Sequence, residues 1–406
     1  MSDEDPGSLR AREFRRILLV KLSAVGDVVH TIPVLNALRR RYPAARIDWL
    51  LKPSIAELVR HHPAVSDILH FDDREWARPW KNRSALGDVA RLVTALRAKR
   101  YDLVVDLHGQ FRTALLTLAT GAPVRIGFDR PRREVWGALD RDLPEDAFRH
   151  GWKGAREASW LAYTHRIRLP TLDMHAVDRY LLVGRMLGFS DAPADFGFPI
   201  PPEAFAESDR LLGAANLRLG PDEAGWPVIL APGTLWETKH WHTRGFAGVA
   251  RHFLARGRSV VLVGSGRDRA RSAEVAAQAP GVADLSGRTS LAGLAALIAR
   301  SAVCVTNDSG PMHMAVALRR PVVSVFGPTD SLWIGPYGRP RAVLQSDLPC
   351  APCYLRHIKR CPHGHACMRE ISADAVIARV EEILAEAQAT RPVPDSSVER
   401  HLAPTL

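Results

Sequence analysis

Short apolar runs alternate with amphipathic stretches along the first half of the chain. The apolar runs have the length of buried strands, and the stretches between them repeat apolar residues at helical spacing. In the first such stretch, Val28, Ile32 and Leu35 fall on one face of a helix. Alternating strands and helices predict a parallel sheet covered on both faces. The strand-like runs are "RILLVKL" (16–22), "ARIDWLL" (45–51), "DILHF" (67–71) and "YDLVVDLHG" (101–109).

A second alternating series follows a proline-rich interruption, which we interpret as a linker over 191–205. Each apolar run of this series leads into Gly, Asp or Asn, and ligands of open α/β sheets bind at the carboxyl ends of strands. The pattern predicts an α/β protein of two Rossmann-like domains, 16–190 and 206–370, with parallel sheets facing across a central cleft. The runs are "PVILAPG" (227–233), "SVVLVGSG" (259–266), "AVCVTND" (302–308) and "PVVSVFGPTD" (321–330).

The two ends of the chain differ in pattern from the domains. Residues 1–15 are acidic and then basic with no apolar periodicity, and we expect them to be disordered. An amphipathic helix is predicted at 371–390, with Val376 and Val380 on its apolar face, and we expect it to cross back toward the first domain. Residues 391–406 are expected to form a disordered tail.

The net charge of +11, from 55 basic and 44 acidic residues, favours an acidic partner. A phosphorylated ligand, a nucleic acid and an anionic membrane surface all fit, and arginine-rich solvated faces are the alternative. No aromatic-and-basic recognition motif accompanies the charge, so we expect no nucleic acid. The N-terminus lacks the apolar segment of a signal peptide, and no run approaches the roughly 18 apolar residues of a membrane span. We therefore expect a cytoplasmic protein that contacts a membrane, if at all, from inside.

The stretch "VTNDSGPMHMAVAL" (305–318) places polar residues between a strand and a helix. Ser309 and Gly310 precede the helix, so their backbone N–H groups and the helix dipole form an anion site. Asp308 would repel a phosphate at contact distance, and we expect it to accept hydrogen bonds from sugar hydroxyls. The alternative is a capped helix start followed by a buried core histidine, His313.

Two further strand ends carry compatible residues. "APGTLWETKHW" supplies Thr234, Thr238 and Lys239, which are two hydroxyls and a cation within reach of one diphosphate. "VGSGRDRARS" offers a glycine turn at a helix start, with Asp268 placed to meet a ribose. A solvated surface lysine is the alternative for Lys239. Three such strand ends in one domain favour a nucleotide-diphosphate site.

Five stretches together carry a resemblance to a known family. They are "KLSAVGDVVHTIPVL" (21–35), "DLHGQFRTALL" (106–116), "TKHW" (238–241), "NDSGPMHMA" (307–315) and "VFGPTD" (325–330). The chain resembles the ADP-heptose:lipopolysaccharide heptosyltransferases, glycosyltransferase family 9, from about Arg16 to about Ala387. The resemblance implies a GT-B fold and an inverting, metal-independent transfer of L-glycero-D-manno-heptose from ADP-heptose to the lipopolysaccharide inner core. It implies no cofactor beyond this donor substrate.

Two related activities remain alternatives. One is a family 9-like glycosyltransferase that uses another nucleotide sugar. It remains because the residues of the motifs indicate diphosphate binding more clearly than they indicate which sugar is bound. The other is a nucleotide-sugar epimerase with a GT-B fold, which would need acid and base residues around a bound sugar rather than an open acceptor cleft.

The resemblance also implies roles for individual residues of the second domain. Thr238 is added from its place in the turn beside Lys239, which we expect to stabilise the leaving ADP. The predicted donor-binding residues are Thr234, Thr238, Lys239, Asp268 at the ribose, Thr289 on the adenine side, Asp308, Ser309, Gly310 and His313.

In the first domain, Asp27 follows Gly26 at the exit of the first strand. From the residues alone, Asp27 is a helix N-cap, for which aspartate is favoured. The resemblance implies that Asp27 is the catalytic base, which takes the proton of the acceptor hydroxyl as that oxygen attacks the anomeric carbon. This scheme requires no divalent metal.

Acceptor binding is expected at polar and basic residues of the first domain. Arginine pairs with carboxylates and phosphates, which a Kdo/heptose-lipid A acceptor carries. Exposed loop arginines without a ligand are the alternative. An acceptor of this kind implies peripheral contact with the cytoplasmic face of the inner membrane. The predicted residues are Lys21, Ser23, Arg112, Arg133, Arg166 and His175.

Four of the five cysteines lie close together near the C-terminus, at Cys350, Cys353, Cys361 and Cys367. With neighbouring histidines they are a candidate structural zinc site, although their spacing is not that of a standard finger. Reduced thiols are the alternative, because disulfides are uncommon in a cytosolic protein.

Overall fold

Two parallel sheets form the frame of the molecule. The computed structural model describes residues 7–71, 83–130, 135, 139, 141–152, 154–189, 193–220 and 225–389. Within these residues, the first sheet contains β1 (Arg16–Val20), β2 (Arg46–Leu51), β3 (Asp67–His70), β4 (Leu103–Asp106), β5 (Val124–Phe128) and β6 (His165–Ile167), in the order β3-β2-β1-β4-β5-β6. The second contains β7 (Val228–Ala231), β8 (Val260–Leu262), β9 (Ala283–Asp284), β10 (Val303–Asn307), β11 (Val322–Phe326) and β12 (Val343–Gln345), in the order β12-β11-β10-β7-β8-β9.

Helices connect the strands of both sheets. In the described part of the first domain they are α1 (Gly7–Arg10), α2 (Val25–Arg41), α3 (Pro53–Ala56), α4 (Arg83–Ala98), α5 (Phe111–Ala119), α6 (Glu145–His150), α7 (Ala176–Leu181) and α8 (Gly184–Leu187). In the second domain they are α9 (Pro202–Ala214), α10 (Thr243–Ala255), α11 (Arg269–Gln278), α12 (Leu291–Ala299), α13 (Gly310–Ala317), α14 (Ser331–Ile334), α15 (Ala366–Arg369) and α16 (Ala373–Ala389). Among these helices, none is both long enough and apolar enough to cross a bilayer.

Both sheets have the same topology, and it determines where a ligand binds. In the first sheet β1 pairs with β2 on one side and β4 on the other. In the second, β7 pairs in the same way with β8 and β10. The strand order reverses between β1 and β4 in the first sheet and between β7 and β10 in the second. The loops that follow these strands diverge and leave a crevice at the carboxyl ends. The loops after β1, β4, β7 and β10 are therefore the places to look for a site.

The alternate residues of β1 belong to two different cores. Ile17 and Leu19 pack on one face of the sheet, and Leu18 and Val20 pack on the other. All four are completely buried. A strand covered on both faces has no polar side, which explains why this run is apolar throughout.

The eight predicted strands are confirmed as β1 to β4, β7, β8, β10 and β11. The pattern missed β5, β6, β9 and β12. Three of these, β6, β9 and β12, lie at the edges of the sheets and have two or three residues each. Edge strands this short bury too few side chains to leave an apolar run in the sequence.

The linker and the N-terminus differ from the prediction. Helix α9 begins at Pro202, inside the predicted linker 191–205, because proline is favoured in the first turn of a helix. The expected disorder of residues 1–15 is wrong from residue 7 onward. Leu9 and Phe14 are buried in the first-domain core, so this segment packs as part of the domain.

The C-terminal helix is confirmed as α16, and its crossing back toward the first domain stays a prediction. Val376 and Val380 of α16 are buried in the core of the second domain, against β10, β11 and α10. The apolar face predicted from the sequence therefore covers the second sheet. The predicted tail, 391–406, lies outside the described residues.

Candidate active site

The first turns of α2 and α13 lie against each other where the two domains meet. A Cβ atom at Gly26 would come within 2.3 Å of the His313 ring, and one at Gly310 would lie 3.0 Å from Val25. The first of these approaches is possible only for glycine. Both helix starts carry unpaired N–H groups and partial positive charge, so their meeting point attracts anions.

Asp27 lies in the first turn of α2 with 42% of its side chain exposed. Its Oδ2 atom accepts a hydrogen bond from the Ala24 N–H group at 3.0 Å. Its Oδ1 atom accepts a hydrogen bond from the Tyr180 hydroxyl at 2.9 Å and lies 3.3 Å from Lys21 Nζ. The N-cap residue of α2 is Ala24, whereas the residues alone had predicted Asp27. The Asp27 side chain satisfies the Ala24 N–H group while presenting a carboxylate to the cleft.

The neighbours of Asp27 keep it ionised. Burial opposes the charge of the carboxylate, but the Lys21 ammonium and the Ala24 N–H group outweigh it. Together with the Tyr180 hydroxyl they lower the pKa of Asp27 to about 2. A resting carboxylate with so low a pKa is a weak base. It becomes an effective proton acceptor only when the donor hydroxyl acidifies during bond formation.

The Lys21 ammonium contacts Asp27 and two further groups of the first domain. The side chain is buried, and Nζ donates to the Leu107 carbonyl at 3.1 Å and to the Tyr180 hydroxyl at 2.6 Å. Burial opposes the charge on Lys21, but Asp27 and Tyr180 outweigh it and raise the pKa of Lys21. Lys21 therefore holds the Asp27 carboxylate in place, and its predicted contact with the acceptor stays a prediction.

Three histidines form a column across the boundary between the domains. His30, one turn along α2 from Asp27, has its Nε2 atom 2.8 Å from Nδ1 of His313 on α13. The His30 ring also packs edge-on against the His175 ring, with centroids 5.0 Å apart. Burial lowers the pKa of His30 well below its usual range and lowers those of His175 and His313 to about 4. All three rings are therefore neutral at neutral pH.

His175 was expected at the acceptor, and the structure gives it another role. Its Nδ1 atom accepts a hydrogen bond from the Val177 N–H group at 3.1 Å, which caps α7. Its Nε2 atom donates to the Gly335 carbonyl of the second domain at 2.9 Å. Both nitrogens are used, so His175 holds the domains together.

The predicted donor residues Lys239 and Asp308 are paired with each other. Lys239 Nζ lies 2.6 Å from Asp308 Oδ2 and 4.3 Å from the centre of the Trp236 ring. Asp308 also accepts a hydrogen bond from the Thr329 hydroxyl at 2.7 Å, and its carbonyl accepts one from the Thr234 hydroxyl at 3.1 Å. This buried carboxylate holds the Lys239 ammonium beside the start of α13. Its predicted contact with sugar hydroxyls stays a prediction.

Thr238 and Asp268 also have partners within the protein. The buried Thr238 hydroxyl donates to the Leu355 carbonyl at 2.5 Å, which connects the turn to the cysteine-rich segment. Its predicted donor contact stays a prediction. Asp268 accepts hydrogen bonds from the N–H group and hydroxyl of Ser265 at 2.8 and 2.7 Å. A Cβ atom at Gly233 would lie 2.4 Å from Asp268 Oδ1, so this carboxylate adjoins the loop after β7.

The remaining predicted donor residues occupy loops at the carboxyl edge of the second sheet. Ser309 is the N-cap residue of α13, and its half-buried hydroxyl donates to the Asn307 carbonyl at 3.3 Å. Thr289 is half-buried in the loop between β9 and α12. Their positions are compatible with the predicted roles, which stay predictions.

The predicted acceptor residues lie at different distances from Asp27, and Lys21 contacts it directly. Arg112 is exposed on α5, and Arg166 lies on the edge strand β6. That strand is three places from β1, or about 14 Å at the usual strand spacing. Arg133 lies outside the described residues. Ser23 is half-exposed in the loop before α2 and is the predicted acceptor residue closest in sequence to Asp27.

Sequence reasoning missed three residues of the site: Tyr180, His30 and His108. His108 follows β4, and burial and the Lys21 charge lower its pKa to about 3. It lies within a motif that carried the family resemblance, so this motif was the available signal. Tyr180 left no signal, because it contacts Asp27 from 153 positions away in the chain.

The four clustered cysteines are free thiols. Burial raises the pKa of Cys367 to about 12 and raises those of Cys350 and Cys353, so these thiols are protonated at neutral pH. Cys361 Sγ accepts a hydrogen bond from the His365 N–H group at 3.4 Å. In the part of the chain that the structure describes, no group of three or more His, Cys, Asp or Glu side chains is placed to hold a metal ion. The choice between reduced thiols and a structural zinc site stays a prediction.

Two Rossmann-like domains with a carboxylate on one side of the cleft and an anion-binding helix start on the other define a glycosyltransferase of the GT-B type. The sequence model of the family described as glycosyltransferase family 9 (heptosyltransferase) matches residues 89–147 and 143–361. The chain belongs to this family, as its motifs predicted.

Individual relatives agree with this assignment. Lipopolysaccharide heptosyltransferase 1 of Pseudomonas aeruginosa PAO1 is 34% identical over 340 residues, which cover 83% of this chain and 86% of the relative. The structure of Escherichia coli heptosyltransferase WaaC with ADP-2-deoxy-2-fluoro heptose superimposes with a TM-score of 0.66 at 26% identity, covering 90% of this chain and 99% of WaaC. A family 9 glycosyl transferase from Veillonella parvula DSM 2008 has a TM-score of 0.70 at 23% identity over 92% of this chain and 98% of its own, which supports the fold.

Proposed function

We propose that this glycosyltransferase moves L-glycero-D-manno-heptose from ADP-heptose to the lipopolysaccharide inner core, with inversion at the anomeric carbon and without a metal ion. The observation that carries the proposal is the position of Asp27, an ionised and partly exposed carboxylate beside the helix start of α13. The names of the relatives support the donor and the acceptor, since lipopolysaccharide heptosyltransferases cover most of this chain and one was solved with an ADP-heptose analogue.

The donor diphosphate would bind at the start of α13. The N–H groups of this helix start and the Lys239 ammonium supply positive charge without a bound cation. Lys239 is held by Asp308 in the ligand-free protein, so a diphosphate competes with a carboxylate for the same ammonium. The same contacts stabilise ADP as the bond to the sugar breaks.

The transfer itself needs one proton acceptor. The acceptor hydroxyl oxygen forms a bond to the anomeric carbon of the heptose, and its proton passes to the Asp27 carboxylate. The bond from that carbon to the ADP oxygen breaks, and ADP leaves with the electron pair. Attack from the face opposite to ADP inverts the anomeric centre. Lys21 and Tyr180 keep the carboxylate ionised and oriented before the proton arrives.

The acceptor in this proposal is an anionic lipid, so we also propose peripheral contact with the cytoplasmic face of the inner membrane. The net charge of +11 favours both the phosphates of the acceptor and an anionic lipid surface. Arg112 is an exposed residue that such groups could reach.

The proposal is tested by incubating the protein with ADP-heptose and heptose-free Kdo-lipid A and measuring the mass of the lipid. We expect the lipid to gain one heptose, and the rate to be unchanged by a chelator. Parallel reactions contain ADP-mannose or a UDP-sugar in place of ADP-heptose. A gain of mass only with one of these donors would overturn the assignment of heptose, and loss of activity with the chelator would overturn metal independence.

A further inference from the structure

Helix α5 carries a row of large apolar side chains that face solvent. Phe111, Leu115 and Leu118 are 49%, 48% and 46% exposed. Their spacing of four and three residues places them on one face of the helix, while Leu116 on the other side is buried. The helix thus carries apolar side chains on two faces. The buried face packs on the protein core, and the exposed face needs another explanation.

A segment that packs against α5 carries a fourth exposed apolar side chain. The 3-10 turn Ser159–Ala162 packs against α5, and its Leu161 is 69% exposed. Scattered exposed apolar residues are normal in soluble proteins, but a contiguous group of them marks an interaction site. We call the group formed by Phe111, Leu115, Leu118 and Leu161 the α5 surface.

Basic side chains surround the α5 surface. Arg112 is exposed next to the row, and Arg97 Nε donates to the carbonyl of Ala119 at the far end of the helix, at 3.0 Å. Arg125 Nε donates to the Ala162 carbonyl at 2.8 Å, at the end of the 3-10 turn. A bilayer of anionic phospholipid complements such a surface, because its headgroups attract arginine while its interface accepts leucine and phenylalanine.

An acidic side chain at this surface does not cancel the charge. Glu157 accepts a hydrogen bond from the Phe111 N–H group at 3.3 Å, and the neighbouring Arg156 is exposed. Glu157 therefore tethers the start of α5, and the local balance stays positive.

The α5 surface begins close in sequence to the residues of the active-site cleft. Helix α5 begins five residues after β4 ends at Asp106, and His108 between them is influenced by the charges of Lys21 and Asp27. From Phe111 to Leu118 the row extends about 10 Å, at 1.5 Å per residue. A helix that lies in the plane of the interface presents such a row along its whole length to the boundary between headgroups and acyl chains.

We propose that the α5 surface docks this protein on a bilayer of anionic phospholipid, with Phe111, Leu115 and Leu118 inserted among the headgroups. Docking by this face places the mouth of the cleft next to the membrane, where a lipid-anchored acceptor can reach Asp27. What the docked protein glycosylates rests on the proposed function, whereas the docking itself does not.

Sedimentation of the full chain with vesicles tests the docking. The vesicles contain phosphatidylethanolamine with phosphatidylglycerol, or phosphatidylcholine alone as the neutral comparison. The double variant Leu115→Asp/Leu118→Asp should bind the anionic vesicles at least about tenfold more weakly than the native protein. Leu332→Asp, which alters a leucine of the second domain that is also 48% exposed, is the matched control and should bind as the native protein does. Circular dichroism verifies that each variant is folded.

Three results would overturn the proposal. The first is undiminished vesicle binding by the double variant, and the second is equal binding of the native protein to neutral and anionic vesicles. The third is a native dimer that the double variant dissociates, because the α5 surface would then be covered by a second copy of the chain.

Activity measurements separate this proposal from the proposed function. We expect the double variant to retain transfer to a deacylated, water-soluble acceptor and to lose transfer to the same acceptor embedded in vesicles. Vesicle binding through the α5 surface without heptose transfer to either acceptor would leave the docking intact and refute the proposed function instead.

Discussion

His30 Nε2 and His313 Nδ1 lie 2.8 Å apart, and this contact joins the helix that carries Asp27 to the helix at which we expect the donor to bind. Both rings are buried, and one nitrogen must donate while the other accepts. The neutral pair therefore connects the two halves of the cleft directly, and the first prediction concerns its strength.

We expect His30→Phe and His313→Phe each to lower the free energy of unfolding by about 1–3 kcal/mol, because each leaves a buried nitrogen without a partner. The double variant should lose less than the sum of the two, since it leaves neither nitrogen unpaired. Urea unfolding of the four proteins in this cycle measures the coupling. Strictly additive losses would mean that the two rings are neighbours without an energetic contact.

The second prediction follows from the pKa values of the same column. Burial places the folded-state pKa of His175 and His313 at about 4 and that of His30 well below its usual 6.5. Between pH 4 and pH 6.5 the histidines of the unfolded chain bind more protons than those of the folded protein do. The contribution of the column to stability is therefore complete above pH 6.5 and is lost as the pH falls toward 4.

Melting temperatures recorded across this range give the measurement. The native protein should lose stability steadily from pH 6.5 to 4, and His30→Phe should show a shallower decline because one titrating ring is gone. A variant whose decline is as steep as that of the native protein would show that other groups cause it.

The third prediction concerns Tyr180, whose hydroxyl lies between Lys21 and Asp27. Tyr180→Phe removes a hydrogen bond to the carboxylate and should raise the pKa of Asp27 from about 2 toward its ordinary value. We expect kcat to fall roughly 10- to 100-fold, as for loss of a charge-assisted hydrogen bond, with KM for the donor little changed.

The pH profile distinguishes this positioning role from a loss of packing. In Tyr180→Phe the acidic limb of kcat should move to higher pH, whereas general loosening of the fold would lower kcat at every pH. Tyr337→Phe is the matched control, since its hydroxyl donates to Asp178 at 2.7 Å rather than to Asp27. It should leave the acidic limb where it is.

How much of this site could be predicted depends on how far apart its residues lie in the chain. Asp27, Lys239 and Asp308 each lie within a short motif between a strand and the helix that follows it or in the first turn of that helix, so local sequence was enough to single them out. Their pairing was not predicted, because the contact between Lys239 and Asp308 depends on how two loops of the folded sheet come together.

The contacts between distant segments were missed for the same reason. His30 and His313 are 283 positions apart, and neither belongs to a pattern that requires the other. The fold was more accessible, because strands buried on both faces, such as β1 and β10, must be apolar throughout. The short strands β6 and β9 bury too little to leave that signal.

The fourth prediction is that Lys239→Ala weakens ADP binding. A charge-assisted contact of this kind is worth about 1.5–3 kcal/mol, and the variant also leaves the buried Asp308 carboxylate unpaired beside the diphosphate. Adding Asp308→Asn to the variant should therefore recover part of the affinity. Calorimetry with ADP measures both effects, and an unchanged affinity in Lys239→Ala would mean that the lysine does not contact the nucleotide.

The last prediction concerns Asp27 as the base. Asp27→Asn keeps an oxygen for the Ala24 N–H group, so the start of α2 should stay capped, but the amide cannot take a proton from the acceptor. General base catalysis contributes roughly 10²–10⁴-fold, and turnover should fall by about that factor. ADP affinity should barely change, because the nucleotide contacts lie on the second domain, and calorimetry on the same preparation verifies this. Near-native turnover in Asp27→Asn would mean that Asp27 only caps the helix. If Asp27 is the catalytic base, the variant is folded and binds ADP normally but is inactive.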